Sequence, residues 1–357
     1  MKKSALAIMM LLFLLAGFSN ANVVASTSQP FTLMSSGVMS YPETFSGWIE
    51  TITWNDETKE TIQITDKGKI LLNGIEKKAF GFVIKAEWNP PSEAVTNAML
   101  DWCQDNGVRF MNVLLGAAKS DNPSRLEFWL PKLYDHKMFA IVWVVPAAFD
   151  RAALLDATAY KNVFKTVVNK IIDMNKKDMV VTFLAGEEWD IHVDRKNVSQ
   201  TELQNWFDDV DSYIRDYLAT SNFDRPVGHS PSDPQHWGGQ MSLEYSDFAF
   251  DDWFIGSDYT SALDYWWSYN KEGWSNAGKS GYQAWLPSAG YGVGDIADNS
   301  KLTPEYFTHM LDYPELSAFF IWHLWEGWYN GSEEHCMFDL YGNPYDWTEN
   351  LAPYFPR

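Results

Sequence analysis

The stretch Val180-Val181-Thr182-Phe183-Leu184-Ala185-Gly186-Glu187-Glu188-Trp189-Asp190 sets the terms for the rest of the chain. A β-branched and apolar run passes through Gly186 straight into two carboxylates, a tryptophan and a third carboxylate. That is the pattern of a buried parallel strand that delivers polar side chains to the open end of a barrel or sheet. On this reading a general acid stands beside an aromatic face suited to stacking. The competing reading is a solvated acidic loop after a core strand. Adjacent residues of an extended strand face opposite ways, so Glu187 and Glu188 cannot both enter one cleft while the chain stays extended.

A strand-then-helix rhythm continues on both sides of that stretch. Strands are expected at 79–84, 108–115 and 139–145 before it, and at 225–230, 253–257, 282–286 and 318–325 after it. Pro90-Pro91-Ser92 opens a helix that runs to Asp105, with Gly107 beyond its end. Further helices are expected at 125–136, 152–174 and 199–219, then up to about residue 277, and again from Thr303-Pro304-Glu305. Eight such units over residues 79–357 predict a (β/α)8 TIM barrel. A doubly wound sheet would usually carry a Gly-rich loop after its first strand, and none follows residues 79–84. Residues 47–78 read as a β-hairpin lead-in, with Asn73-Gly74 as a tight turn.

Composition narrows the partners. The 357 residues are 46% hydrophobic and 16% aromatic, with 18 Trp, more than a core of this size needs. Surplus tryptophan suits flat ligands such as sugar rings. A net charge of -20 opposes nucleic acid and anionic membrane surfaces as partners and fits a neutral substrate. Lys2 and Lys3 precede an apolar run over residues 5–18, with small residues Ser19, Ala21 and Ala25 after it. Residues 1–25 therefore read as a secretory signal and 26–46 as a connector. The run is too short to span a bilayer comfortably. The expectation is a secreted monomer with a polysaccharide or oligosaccharide partner, no membrane attachment after cleavage, no cofactor and no metal. His229, Asp233 and His236 have no recognised metal-ligand spacing. Cys103 and Cys336 are expected to be unbonded. Cys103 lies near the far end of the first helix, roughly 18 Å below its start, whereas Cys336 follows strand eight.

Ligands of a (β/α)8 barrel bind at the C-terminal ends of the strands. Those ends carry Glu87 and Trp88, Asn112, Glu187 to Trp189, His229, Asp258 and Tyr259, and Trp322 to Glu326.

Four motifs resemble clan A glycoside hydrolases, most closely the cellulase family numbered five. They are Lys67-Gly68-Lys69-Ile70-Leu71-Leu72-Asn73-Gly74 ahead of Gly81-Phe82, Gly107-Val108-Arg109-Phe110, Leu184-Ala185-Gly186-Glu187-Glu188-Trp189, and Trp322 with Trp325. The resemblance implies a barrel that cleaves a β-linked glucan or mannan, with Glu188 as acid/base, Arg109 as a brace near the cleft floor and a tryptophan sugar platform on strand eight. It also implies a nucleophilic Glu ending strand seven, where this chain has Trp285-Leu286-Pro287-Ser288-Ala289-Gly290-Tyr291. Glu326 on neighbouring strand eight is the best substitute, with Glu187 or Asp258 as other arrangements. The expected catalytic set is Glu188, Glu326 and Glu187. The expected substrate-binding set is Trp88, Arg109, Trp189, His229, Asp258, Tyr259, Trp322 and Trp325. The alternative is an inactive carbohydrate-binding barrel that lacks the strand-seven nucleophile.

Overall fold

Near-continuous apolar runs bounded by polar residues become strands buried on both faces. Eight parallel strands form one sheet in the computed structural model: Ala79–Lys85, Phe110–Gly116, Phe139–Val145, Val180–Glu187, Val227–Ser230, Ala249–Phe254, Ala284–Gly290 and Leu316–Ile321. The described residues are 45–147, 150–254, 260–293, 296–328 and 336–356. Around the ring the strand order is six, seven, eight, one, two, three, four, five. Strands five and six complete the ring through single bonds, Asp247 N–H to the Val227 carbonyl at 2.9 Å and Asp252 N–H to the Pro231 carbonyl at 2.7 Å. With helices between the strands, this is the expected (β/α)8 barrel.

Alternation along each strand separates lumen from outer layer. On strand one, Phe80 packs on Phe307 and Phe355 of the outer layer at 5.1 and 4.4 Å. Its neighbours Gly81, Val83 and Lys85 therefore face the lumen. On strand two, Asn112 reaches across the lumen and donates from Nδ2 to the Pro287 carbonyl at 2.7 Å.

Strand seven runs through Pro287, where the sequence predicts a stop. Its ladders explain why. The pairing skips Pro287 on both sides, passing from Trp285 to Ser288 against strand six and from Leu286 to Ala289 against strand eight. The missing N–H is never called on, and the carbonyl turns to Asn112. Strand six begins earlier than expected, at Ala249, and residues 255–257 of the expected strand lie outside the described residues. Asp251 and Asp252 interrupt its apolar pattern, and each finds a partner inside the fold, as described below.

The lead-in is a four-stranded antiparallel sheet rather than a single hairpin: Trp48–Thr53, Lys59–Ile64, Ile70–Leu72 and Ile75–Glu76. Asn73 and Gly74 carry φ values of 53° and 78°, the positive pair that a two-residue hairpin turn needs. The sheet covers the N-terminal end of the barrel. Trp54 packs on Phe139 at 5.4 Å, Arg225 lies 3.9 Å over the Trp48 ring, and Trp285 Nε1 donates to the Gly68 carbonyl at 2.8 Å. Phe139, Arg225 and Trp285 all stand at or beside the starts of their strands.

Helix ends follow the sequence where a cap is present. Ser92 caps Glu93–Asp105, and Ser199 with Glu202 forms a capping box on Gln200–Thr220. The helix expected over 152–174 is two, because the Asp156 carboxylate caps a fresh start at Ala157. Short helices Trp189–Lys196 and Trp237–Glu244 were not evident in the sequence. Cys103 and Cys336 are both buried and unbonded, as expected. Residues 1–25 and most of 26–46 lie outside the described residues. Among the described residues no helix is long and apolar enough to cross a membrane.

Candidate active site

With one end covered, the chemistry gathers at the C-terminal ends of the strands. Strand four ends at Glu187, and its pairing with strand five shifts register between Leu184 and Glu187. This bulge turns Gly186 toward the outer layer. A Cβ there would stand 2.1 Å from Trp189 Nε1 and 2.8 Å from His229 Nδ1. Glu188 then adopts a left-handed conformation, φ 46° and ψ 42°, which takes the backbone out of the extended state. Its N–H donates to the Ser230 carbonyl at 2.7 Å, and its Oε1 accepts from the Ser232 hydroxyl at 3.1 Å. The Glu187 side chain lies outside the described residues.

Two residues on, Asp190 is buried in the first turn of helix Trp189–Lys196. Its two carboxyl oxygens accept the N–H groups of Ser232 and Asp233, each at 3.0 Å. Burial pushes this carboxyl up to about 7, hydrogen bonds from the backbone of Ser232 and of Asp190 itself oppose the shift, and the nearby Glu188 and Asp233 add to it.

Strand six supplies a carboxyl that the sequence reading passed over. Trp253 contacts Trp267 and Tyr306 outside the barrel, and Asp251 accepts from Asn270 Nδ2 of the outer helix. Asp252 lies between them and so faces the lumen, where Ser230 Oγ donates to its Oδ1 at 2.9 Å. The sequence signal was the Asp251-Asp252 pair itself, set between apolar residues of the strand. A polar pair inside an apolar strand needs partners, and only one of the pair can face the helices. Asp251 is fully buried, and desolvation pushes its carboxyl well above the usual range.

Across the mouth, strands eight and one build an aromatic corner. The Lys85 ammonium is 4.6 Å from the centroid of the half-buried Trp322 ring and 5.8 Å from that of Trp88. Glu87 Oε1 lies 3.8 Å from Lys85 Nζ and accepts from Trp88 Nε1 at 3.0 Å. Trp88 is 48% exposed, so one indole is available to solvent at this corner. Trp325 is half-buried and pairs with Phe338 of the C-terminal segment. Glu326 begins a short turn, with its N–H on the Phe338 carbonyl at 3.0 Å and its carboxyl accepting from the Tyr345 hydroxyl. Its carboxyl is thus engaged by the C-terminal segment.

Three expected site residues lie elsewhere. Arg109 precedes strand two, at the covered end of the barrel, and its guanidinium grips both oxygens of Glu60 in the lead-in sheet and the Lys137 carbonyl. It is not at the cleft floor, because the motif that suggested it sits at the start of its strand. Trp189 is fully buried against Trp206 and Phe207, at 4.5 and 5.5 Å, and offers no face to a ligand. His229 is a core residue, fully buried, with Nε2 3.4 Å from Asp211 and its ring edge-on to Phe207 at 4.8 Å. Burial lowers its proton affinity. Asp258 and Tyr259 lie outside the described residues. Asn112 is inside the barrel but committed to Pro287.

No family model matches the chain, and no curated protein does. Solved structures do. The β-glucuronidase of Faecalibacterium prausnitzii aligns with a TM-score of 0.56 at 12% identity, over 88% of this chain and 57% of its own. The β-glucuronidase of Ruminococcus gnavus gives 0.55 at 14% identity, over 85% and 56%. A GH5-4 broad specificity endoglucanase of Bacteroides salanitronis gives 0.55 at 11% identity, over 77% and 91%. This is a likeness of fold. The chain spans little more than half the length of the two glucuronidases.

Proposed function

We propose that the chain is a glycoside hydrolase of a β-linked polysaccharide, a glucan or a mannan, with Glu188 as the general acid. The observation that carries this reading is the position of Glu188. It directly follows strand four at the C-terminal face of the barrel, out of the extended conformation, with its carboxyl on Ser232. Trp322, Trp88, Lys85 and Glu87 give the opposite rim an aromatic face with a donor and an acceptor beside it, the combination a neutral sugar ring needs. The fold shared with glucuronidases and an endoglucanase supports the same reading.

Hydrolysis by two carboxyls needs a partner for Glu188. Asp252 fills that role, since it faces the lumen from strand six and shares Ser230 with Glu188. Glu188 protonates the glycosidic oxygen as the bond breaks, Asp252 stabilises the positive charge that develops on the sugar, and a water adds to the anomeric carbon and gives up its proton to a carboxylate of the pair. A carboxyl separation of about 5–5.5 Å goes with retention and about 6.5–9.5 Å with inversion. Glu326 is the rival partner, and Glu187 stays in the candidate set.

The test is a panel of β-glucans and β-mannans with a reducing-sugar readout. Glu188→Gln is expected to lower kcat by about 10²–10⁴-fold. Asp252→Asn is expected to lower it comparably and Glu326→Gln much less. Loss with Glu326→Gln alone would reassign the partner.

A second reading is a non-catalytic carbohydrate-binding barrel. Two observations favour it: strand seven, Ala284–Gly290, carries no carboxylate, and Glu326 is held by Tyr345. On that reading Glu188→Gln leaves polysaccharide affinity unchanged. Export through residues 1–25 belongs to the proposal too, and N-terminal sequencing of the extracellular protein tests it.

A further inference from the structure

We propose that Ser232 is a positioning residue for Glu188, and that Asp190 acts through it by clamping the 232–233 backbone. The inference rests on the hydrolase reading and deepens it.

The geometry forms a closed circuit. Glu188 leaves strand four in a left-handed conformation, outside the strand ladder. Its main chain is pinned instead to strand five, through the Ser230 carbonyl. The chain runs on from Ser230 through Pro231 to Ser232, whose hydroxyl meets Glu188 Oε1 at 3.1 Å. Asp190, two residues beyond Glu188, holds the N–H groups of Ser232 and Asp233 from the other side. The loop is backed by close packing. A Cβ at Gly239 would stand 2.0 Å from the Asp233 carbonyl oxygen, and one at Gly273 would stand 2.6 Å from the carbonyl of Pro234. The hydroxyl is thus presented by a loop with little room to retreat, which is how a supporting contact holds a reacting group in place.

The charged surroundings give the contact a chemical consequence. Asp190 and Asp233 lie beside Glu188, Asp251 and Asp252 line strand six behind the loop, and Tyr269 of helix Thr260–Asn276 donates to Asp233 at 3.2 Å. His192 sits on the same helix as Asp190, with burial pushing it down to about 4, and His236 caps the next helix with Nε2 3.5 Å from Asp194. Ionised neighbours oppose ionisation of Glu188, Asp190 only above about pH 7, where it loses its own proton. A hydroxyl that donates to its carboxylate favours ionisation and offsets them.

Removing the hydroxyl should therefore raise the pH at which Glu188 loses its proton. With Ser232→Ala, the alkaline limb of the pH–kcat/KM profile is expected to move up by about one unit, with kcat down several-fold. Ser232→Thr, which keeps the hydroxyl, is expected to restore both. If Asp190 works through Ser232, Asp190→Asn lowers kcat in the wild-type background and has little further effect in Ser232→Ala. Superimposable wild-type and Ser232→Ala profiles would overturn the Ser232 role. Additive effects of the two substitutions would overturn the clamp. Should Glu188→Gln keep full activity, the hydrolase reading fails rather than this one. Carboxyl titration by NMR of ¹³C-glutamate-labelled protein, with the Glu188 signal assigned from Glu188→Gln, then still decides it. An unchanged Glu188 midpoint in Ser232→Ala sinks the contact.

Discussion

Glu188 and Asp252 share an anchor. The Ser230 carbonyl accepts the Glu188 N–H at 2.7 Å, and the Ser230 hydroxyl donates to Asp252 at 2.9 Å. Strands four, five and six are thereby tied together at the C-terminal end of the barrel, beside the seam that strand pairing leaves incomplete. Shortening of strand five to Val227–Ser230 leaves the next residues free to form the loop that meets Glu188.

Arg109 holds the barrel to the lead-in sheet, so its loss should register in stability and not in function. Its pair with Glu60 is largely shielded, with side-chain exposures of 26% and 17%. Glu60 also accepts from Trp54 Nε1 at 2.6 Å. Arg109→Ala is expected to cost about 1–3 kcal/mol in urea unfolding. Polysaccharide affinity and kcat should match wild type. A selective fall in either, at unchanged stability, would return Arg109 to the site.

Trp189 and Trp322 should respond in opposite ways. Trp189 is fully buried, so Trp189→Ala is expected to lose about 3–5 kcal/mol of stability. Trp322 is half-buried beside Lys85, and Trp322→Ala is expected to weaken polysaccharide binding about tenfold or more with a smaller stability loss. Calorimetric titration together with urea unfolding separates the two effects.

Asp190 makes stability depend on pH. Its carboxyl titrates at about 7 in the fold, against an ordinary value near 3.8, because burial disfavours the charge. The folded protein then binds more protons than the unfolded chain between those values, so this group's contribution to stability falls as pH rises from about 4 to 7. Asp251 is shifted in the same direction. Asp190→Asn should flatten that decline by a few kcal/mol, to order of magnitude. Urea unfolding of both proteins at several pH values measures the difference. Parallel curves would show that Asp190 does not titrate in this range.

The fold was legible because its signal repeats. Each buried parallel strand reads as an apolar run, and Ser92, Ser199 and Thr303 mark helix starts at the residues where the structure places them. The site was only partly legible. Glu188 stood out as a charge at the end of an apolar run. Asp252 did not, because two adjacent acids look like a break in a strand, and their partners, Asn270 and Ser230, come from distant segments. Trp189 and His229 looked exposed for a related reason. A strand end says that a side chain is near the mouth, and helix Gln200–Thr220 decides that these two are covered. Pro287 misled because a proline is a strand stop unless the ladder skips it, and the skip is set by neighbouring strands.

Gly186 is the point where strand four changes from core to site, and it should tolerate no side chain. Its φ is ordinary, so the requirement is space. A Cβ would meet Trp189 Nε1 at 2.1 Å and His229 Nδ1 at 2.8 Å, and both rings are fully buried. Neither can swing into solvent. Trp189 is fixed by Trp206 and Phe207, and His229 by Phe207 and Asp211. Gly186→Ala must therefore push strand four toward the lumen, where Trp143 Nε1 donates to the Gly186 carbonyl at 3.1 Å. The expected cost is about 1–3 kcal/mol from overpacking. Activity should fall further than stability alone explains, since Glu188 is two residues downstream and its bonds to Ser230 and Ser232 depend on that backbone path. Pairing Gly186→Ala with Trp189→Phe, which removes the Nε1 that the new methyl meets, is expected to recover part of the stability. Equal losses in the single and double substitutions would show that Trp189 is not what excludes a side chain at 186.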